Sequence, residues 1–262
     1  MLEAIKLVKQ FGDFVAVDEV SFKVEEGEIV AFLGPNGAGK TTTIKMFTTL
    51  SVPTKGQLVI NGVDPVKDPA AARRSFGIVF QDQSLDEDLT AYENMYIHTV
   101  LYGVPKKERK VRVEKMLRFV ELWDRKDDLV KKFSGGMRRR LEIARSLTHH
   151  PKILFLDEPT LGLDPQTRNH IWEFVKDLNV KEKMTVFFST HYLDEAARVA
   201  DRIIIIDHGK IIGHGTPQSL MNETGTDTLE AAFLKLTGSV IRDEEAGTVD
   251  NMRMHVRLRR GK

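Results

Sequence analysis

The sequence predicts an α/β fold: a mostly parallel sheet flanked by helices, an antiparallel β region at the N-terminus and an inserted helical segment. Three observations carry this. Ile29 to Leu33, Ile153 to Leu156 and Ile203 to Ile206 are short, unbroken apolar runs, the pattern of strands buried on both faces. These runs alternate with segments of helical spacing, which implies crossover connections and a parallel sheet. The first run leads directly into Gly34-Pro35-Asn36-Gly37-Ala38-Gly39-Lys40-Thr41, then a stretch to Leu50 without Gly or Pro. That strand–loop–helix matches G-x-x-x-x-G-K-[ST], a phosphate-binding loop, and marks a P-loop NTPase core.

A chain of 262 residues suits one large α/β domain with an insertion, or two small domains. Hydrophobic content of 41% and charged content of 29% are ordinary for a soluble globular protein. A net charge of +1 gives no global case for nucleic-acid binding. The absence of cysteine excludes disulfides and thiolate zinc sites, and fits a reducing compartment. No apolar run approaches the ~18 residues of a membrane span. Met1-Leu2-Glu3-Ala4 does not begin a basic region followed by a long apolar stretch, so a soluble, cytoplasmic chain is expected.

In chain order, Leu2 to Val8, Phe14 to Val17 and Val20 to Val24 read as short strands broken by Gly12, Asp13, Asp18 and Gly27. After the loop and its helix, Gln57 to Ile60 followed by Asn61-Gly62 signals a hairpin. Phe76 to Phe80 is a strand ending at Gln81. Tyr92 to Leu101 and Glu108 to Leu122 show helical spacing and are separated by Pro105, giving a helical subdomain at about 88–150. Ser134-Gly135-Gly136 opens a helix running to about His149. Then follow strand Ile153 to Leu156, helix Thr167 to Asn179, strand Thr185 to Phe188, helix Leu193 to Ala200, and strands Ile203 to Ile206 and Lys210 to Ile212. At the end, Met252, Met254, Val256 and Leu258 alternate with Arg253, His255, Arg257 and Arg259. A solvated or partly disordered tail, a strand added to a sheet edge, and a basic patch for anionic headgroups all fit that pattern.

The loop dictates its own chemistry. Glycines let the backbone wrap phosphates, and N–H groups at a helix N-terminus present positive charge to an anion. Lys40 would reach the β- and γ-phosphates, and the Thr41 hydroxyl would ligate Mg²⁺; the binding set runs from Gly34 through Thr42. Asp157 closes an apolar strand, which places a carboxylate beside the phosphate site to hold Mg²⁺ directly or through water. Glu158 would polarise the attacking water as general base. Gln81 could orient that water or touch Mg²⁺, and His191 could contact the γ-phosphate and help position Glu158. Taken singly, each of these has a plainer reading: a helix start, a strand end, a structural histidine. Ser134-Gly135-Gly136 makes a second anion-binding helix terminus. One nucleotide site with two phosphate-binding ends points to two chains set head to tail, each completing the other's site.

The order of these motifs resembles ATP-binding cassette (ABC) proteins. Gly34 to Thr41, Gln81, Ser134-Gly135-Gly136, Asp157-Glu158, Leu161-Gly162-Leu163-Asp164 and His191 look like the family's Walker A, Q-loop, signature, Walker B, D-loop and H-loop. Phe11 falls where the family places an aromatic that stacks on adenine. The likeness covers roughly residues 2–222, an ABC ATPase domain, with 223–262 as a C-terminal extension. Phe133 and Met137 replace the usual residues around the signature turn, and Leu161 stands where serine is common. The segment Leu229 to Gly238 is similar to the end of the drug- and polysaccharide-exporter branch. The resemblance implies an ATPase subunit that binds ATP and Mg²⁺ and closes as a homodimer or heterodimer around two nucleotides. It also implies separate transmembrane permease subunits, with this chain held at the cytoplasmic face and a groove at about Asp82 to Leu89 receiving a helix of the permease. A soluble ABC ATPase acting on nucleic acid or ribosomes is the rival class; the near-zero charge and the lack of a second cassette argue against it.

Overall fold

A computed structural model describes residues 1–238, so the alternating basic pattern at 252–259 lies outside the described residues. The chain forms β1 (Leu2–Phe11), β2 (Phe14–Val24), β3 (Ile29–Leu33), α1 (Lys40–Phe47), β4 (Lys55–Ile60), α2 (Pro69–Ser75) and β5 (Phe76–Val79). Three longer helices follow: α3 (Ala91–Leu101), α4 (Lys106–Phe119) and α5 (Gly135–Ser146). The rest is β6 (Ile153–Asp157), α6 (Pro165–Glu182), β7 (Thr185–Ser189), α7 (Leu193–Val199), β8 (Arg202–Asp207), β9 (Lys210–Gly215), α8 (Pro217–Thr224) and α9 (Leu229–Thr237). Caps explain several helix starts. Thr90 and Glu93 form a capping box before α3, while Ser134 and Asp164 accept first-turn N–H groups of α5 and α6.

Two sheets result. One is antiparallel, in the order β2-β1-β4; the other has the order β5-β6-β7-β3-β8-β9, parallel except for β9. The first two predicted strands are longer than the sequence suggests. Gly12-Asp13 turns the chain between paired Phe11 and Phe14, and Asp18 does not break β2; the ladder absorbs irregularities instead, with Lys6 and Glu19 at positive φ. The expected hairpin after β4 is corrected too. Asn61 and Gly62 do adopt positive φ and close a bridge from Ile60 to Val63. Pro65 and the Asp68-Pro69 helix start then carry the chain away from the sheet, and β4 pairs with β1.

Alternation along the central strands builds a core on each face. Val30, Phe32, Phe155 and Phe187 point to the side covered by α1 and the antiparallel sheet, where Phe22, Phe47 and Phe187 lie ring to ring. Ala31, Leu33, Leu156 and Phe188 point to the other side, against Trp172 of α6 and the helices between β5 and β6.

At the seam between α3 and the end of α5, Tyr102 stacks on His149 at 3.9 Å and on His98 at 4.5 Å. His149 Nε2 lies 3.0 Å from the carbonyl of Phe76, and His98 Nδ1 lies 3.1 Å from Thr148 Oγ1. Burial, with Arg145 next in weight, pushes His98 down to about 3; burial pushes His149 down to about 4 against the Phe76 hydrogen bond. Both rings are therefore neutral in the fold, whereas the unfolded chain takes up protons below the ordinary histidine value of 6.5. Their contribution is complete above that value and drains away as pH falls towards 4. Urea melts at pH 7 and pH 5 are expected to differ by about 3–4 kcal/mol from this pair, and His149→Phe to shrink the difference. Identical pH dependence in that variant would discard the assignment.

Candidate functional site

β6, β7 and β3 are neighbours, and their carboxyl ends are level: Asp157 and Phe32 both register against Ser189. The loop after β3 demands its glycines. A Cβ at Gly34 would lie 2.2 Å from the carbonyl of Ile206. Gly39, at φ +109, would put a Cβ 2.5 Å from the carbonyl of Ala16. Gly39 provides no side-chain cap for α1, so the first-turn N–H groups keep donors for an anion. Lys40 is buried and its Nζ donates to the carbonyls of Gly34 at 2.7 Å and Pro35 at 3.1 Å. Burial holds its pKa below the usual lysine range, opposed by Glu158 and Asp157.

Two carboxylates, Asp157 and Glu158, stand near enough to act on that ammonium through their charge. Asp157 Oδ1 accepts from Ser189 Oγ at 2.6 Å and sits 3.5 Å from Thr41 Oγ1. Burial pushes its carboxyl upward, with the Glu158 charge adding to the effect and the two hydroxyls opposing it. Glu158 has φ +50, a left-handed conformation that costs a non-glycine residue about 1 kcal/mol. Its N–H is held by the carbonyl and hydroxyl of Ser189, both at 3.1 Å. This turn returns the side chain to His191, whose Nε2 lies 2.7 Å from Glu158 Oε1.

The structure thus brings Lys40, Thr41, Asp157, Glu158 and His191 together. Phe11, Gln81 and the Ser134-Gly135-Gly136 turn make their own contacts apart from this cluster. Phe11 ends β1 with 44% exposure and Lys9 Nζ 4.8 Å above its ring. Gln81 is exposed, and its carbonyl accepts from Arg139 Nη2 at 3.0 Å. Gly135 and Gly136 pack towards Leu163 and Thr167 rather than the phosphate loop; added Cβ atoms would meet those side chains at 3.3 Å and 2.5 Å. The sequence reading missed two supports. Ser189, one residue beyond the predicted strand Thr185 to Phe188, braces Asp157 and Glu158 at once. Arg139, buried and paired with Glu142 at 2.9 Å, fastens the segment around Gln81 to α5, with Glu142 accepting from Ser84 N–H. Nothing in a lone Ser or an i,i+3 pair announces those roles.

Residues 17–161 match the family described as ABC transporter. The chain belongs to the ABC transporter family. It is 42% identical over 243 residues to the linearmycin resistance ATP-binding protein LnrL of Bacillus subtilis, covering 93% of this chain and 76% of that one. It is 41% identical over 232 residues to the Nod factor export ATP-binding protein I of Cupriavidus metallidurans, covering 88% and 76%. Among solved structures it resembles an ATP-binding subunit of an ABC transporter, with a TM-score of 0.81 and 30% identity over 90% of this chain and 99% of that one. It also resembles a dimeric ATP-binding cassette in a post-hydrolysis state bound to ADP and Pi, with a TM-score of 0.74 and 29% identity over 82% and 98%. This ABC protein is an ATP-binding, ATP-hydrolysing subunit of the exporter type. No helix of the described residues is long and apolar enough to cross a membrane.

Proposed function

We propose that the Lys40–Asp157–Glu158–His191 cluster hydrolyses ATP and that the hydrolysis drives export through separate membrane subunits. The observation that carries this is the 2.7 Å contact between Glu158 and His191, on strand ends level with the phosphate loop. Gly34 to Thr42 wraps the phosphates, with Lys40 exchanging its loop carbonyls for β- and γ-oxygens. Phe11 offers a face to adenine. Asp157, Thr41 and Gln81 are the oxygen donors that would hold Mg²⁺, and a carboxyl raised by burial is suited to a cation beside it. When bound, Mg²⁺ supplies charge neutralisation at the transferring phosphoryl group. Glu158 takes the proton of the attacking water, and His191 fixes that carboxylate's orientation while meeting the γ-phosphate.

Gly135 and Gly136 lie against Leu163 and Thr167, and the Ser134 hydroxyl is held by its own helix, which fits their service to the nucleotide of a second copy set head to tail. Two ATP molecules then sit between two ATPase subunits, alike or different, and closure moves the permease. The groove at 82–89 is the docking place for the permease, with the chain peripheral to the cytoplasmic face. Glu87 contacts Arg138, and Asp88 lies 3.1 Å from Lys131, so this groove is tied to the start of α5. Alone, the chain is expected to remain in solution; with its membrane subunits it sediments with vesicles. Changing Asp86, Glu87 and Asp88 together to Ala weakens sedimentation. Unaltered vesicle binding by that variant would remove the groove from the interface.

A further inference from the structure

Beside the Glu158–His191 pair lies a buried carboxylate that the chemistry above leaves unused. Glu195, in the first turn of α7, is 2% exposed. Its Oε2 accepts from Thr160 Oγ1 at 2.8 Å and from Thr190 Oγ1 at 3.1 Å. Thr160 stands two residues after Glu158, and Thr190 stands immediately before His191. Thr190 Oγ1 also accepts the N–H of Tyr192 at 3.0 Å, so the hydroxyl brackets His191 from both sides. The other oxygen, Oε1, lies 3.6 Å from Arg168 Nη1 without a hydrogen bond, and the Arg168 guanidinium lies over the Tyr192 ring at 4.1 Å.

Two hydroxyls aimed at one oxygen need an acceptor there, which a carboxyl group supplies and an apolar side chain does not. A carboxylate taken out of water is expensive unless its bonds are worth the desolvation. Here those bonds converge on the two segments that set the catalytic contact. Glu158 itself sits at φ +50, a conformation that persists only where the surroundings over-determine it. We infer that Glu195, acting through Thr160 and Thr190, is a positioning residue that holds Glu158 and His191 in contact. The inference rests on the reading of Glu158 as the general base.

The test is a mutant cycle on the full chain. Thr160→Val with Thr190→Val removes both hydroxyls at nearly constant volume, whereas Thr160→Ser with Thr190→Ser keeps them. ATPase rate, affinity for a fluorescent ATP analogue and melting temperature are measured for each pair, with and without Glu158→Gln. The valine pair is expected to lower kcat about tenfold with analogue affinity within about twofold of wild type, since small misplacement of a catalytic group is costly. The serine pair keeps kcat within about twofold. In the Glu158→Gln background the valine pair costs nothing further, because the group it positions is gone. A lower melting temperature with unchanged kcat, or an equal fold-loss in both backgrounds, would overturn the inference and reduce Glu195 to a structural stitch. If Glu158→Gln itself turned over near the wild-type rate, the base assignment would fall instead. Should the valine pair not fold, Thr190→Val alone reads the same cycle.

Discussion

Replacing Glu158 with Gln is expected to lower ATP turnover by about 10²-fold or more while leaving nucleotide affinity near wild type. The geometry makes this substitution unusually clean. Glutamine keeps the side chain's size and bears the same left-handed backbone cost, so the Ser189 contacts to its N–H survive. Lys40, Thr41 and Asp157 are untouched, and these are the groups proposed to grip the phosphates and the cation. The one thing removed is the ability of the atom beside His191 Nε2 to accept a proton. Steady-state phosphate release and titration with a fluorescent ATP analogue separate the two quantities. Turnover within a few-fold of wild type would rule out Glu158 as the base.

The second large effect is all-or-none and concerns assembly. In the Glu158→Gln background, where hydrolysis cannot reopen the pair, ATP is expected to give a stable dimer by gel filtration. Adding Ser134→Arg returns that species to monomer. Ser134 is exposed and caps α5 through the Met137 N–H at 3.3 Å; in the proposed head-to-tail pair the opposing γ-phosphate meets the backbone donors beside it. An arginine fills that narrow space. Phe11, Lys40 and Thr41 stay as they were, so ATP affinity of the monomer is expected to remain near wild type. A cis arrangement predicts otherwise: monomer affinity falls together with turnover. Weakened ATP binding by a folded Ser134→Arg monomer would sink the shared-site arrangement.

The sequence made the central sheet and the phosphate loop readable because each rests on a local pattern. Apolar runs such as Ile153 to Leu156 have no use except burial on both faces, and G-x-x-x-x-G-K-T has a backbone reason for every glycine. Elements set by short polar segments were harder to see. α2 and α8 are short, at seven and eight residues, and owe their starts to Asp68-Pro69 and Thr216-Pro217. The Asn61-Gly62 turn was legible, but the partner of β4 was not, since nothing local says that β1 is free to pair. In the site, the chemical residues were visible and their supports were not. Ser189 contacts Glu158 and Asp157, and Thr160 contacts Glu195, across more than thirty residues of chain, and no spacing rule encodes those contacts.

The strand order has a consequence for how the molecule comes into being. β3 is among the first strands synthesised, yet Ile29 pairs with Val186 and Val30 with Arg202, from the other end of the cassette. Gly34 rests against the Ile206 carbonyl, and Glu158 hangs from Ser189. A nascent chain that has displayed the whole phosphate loop, and even the Asp157-Glu158 pair, therefore lacks the walls that give either its shape. Long-range parallel pairing of this kind is slow, because the loop-closure entropy is lost before the contacts repay it. ATP capture is therefore expected to wait until β8, the last parallel strand, has docked against β3.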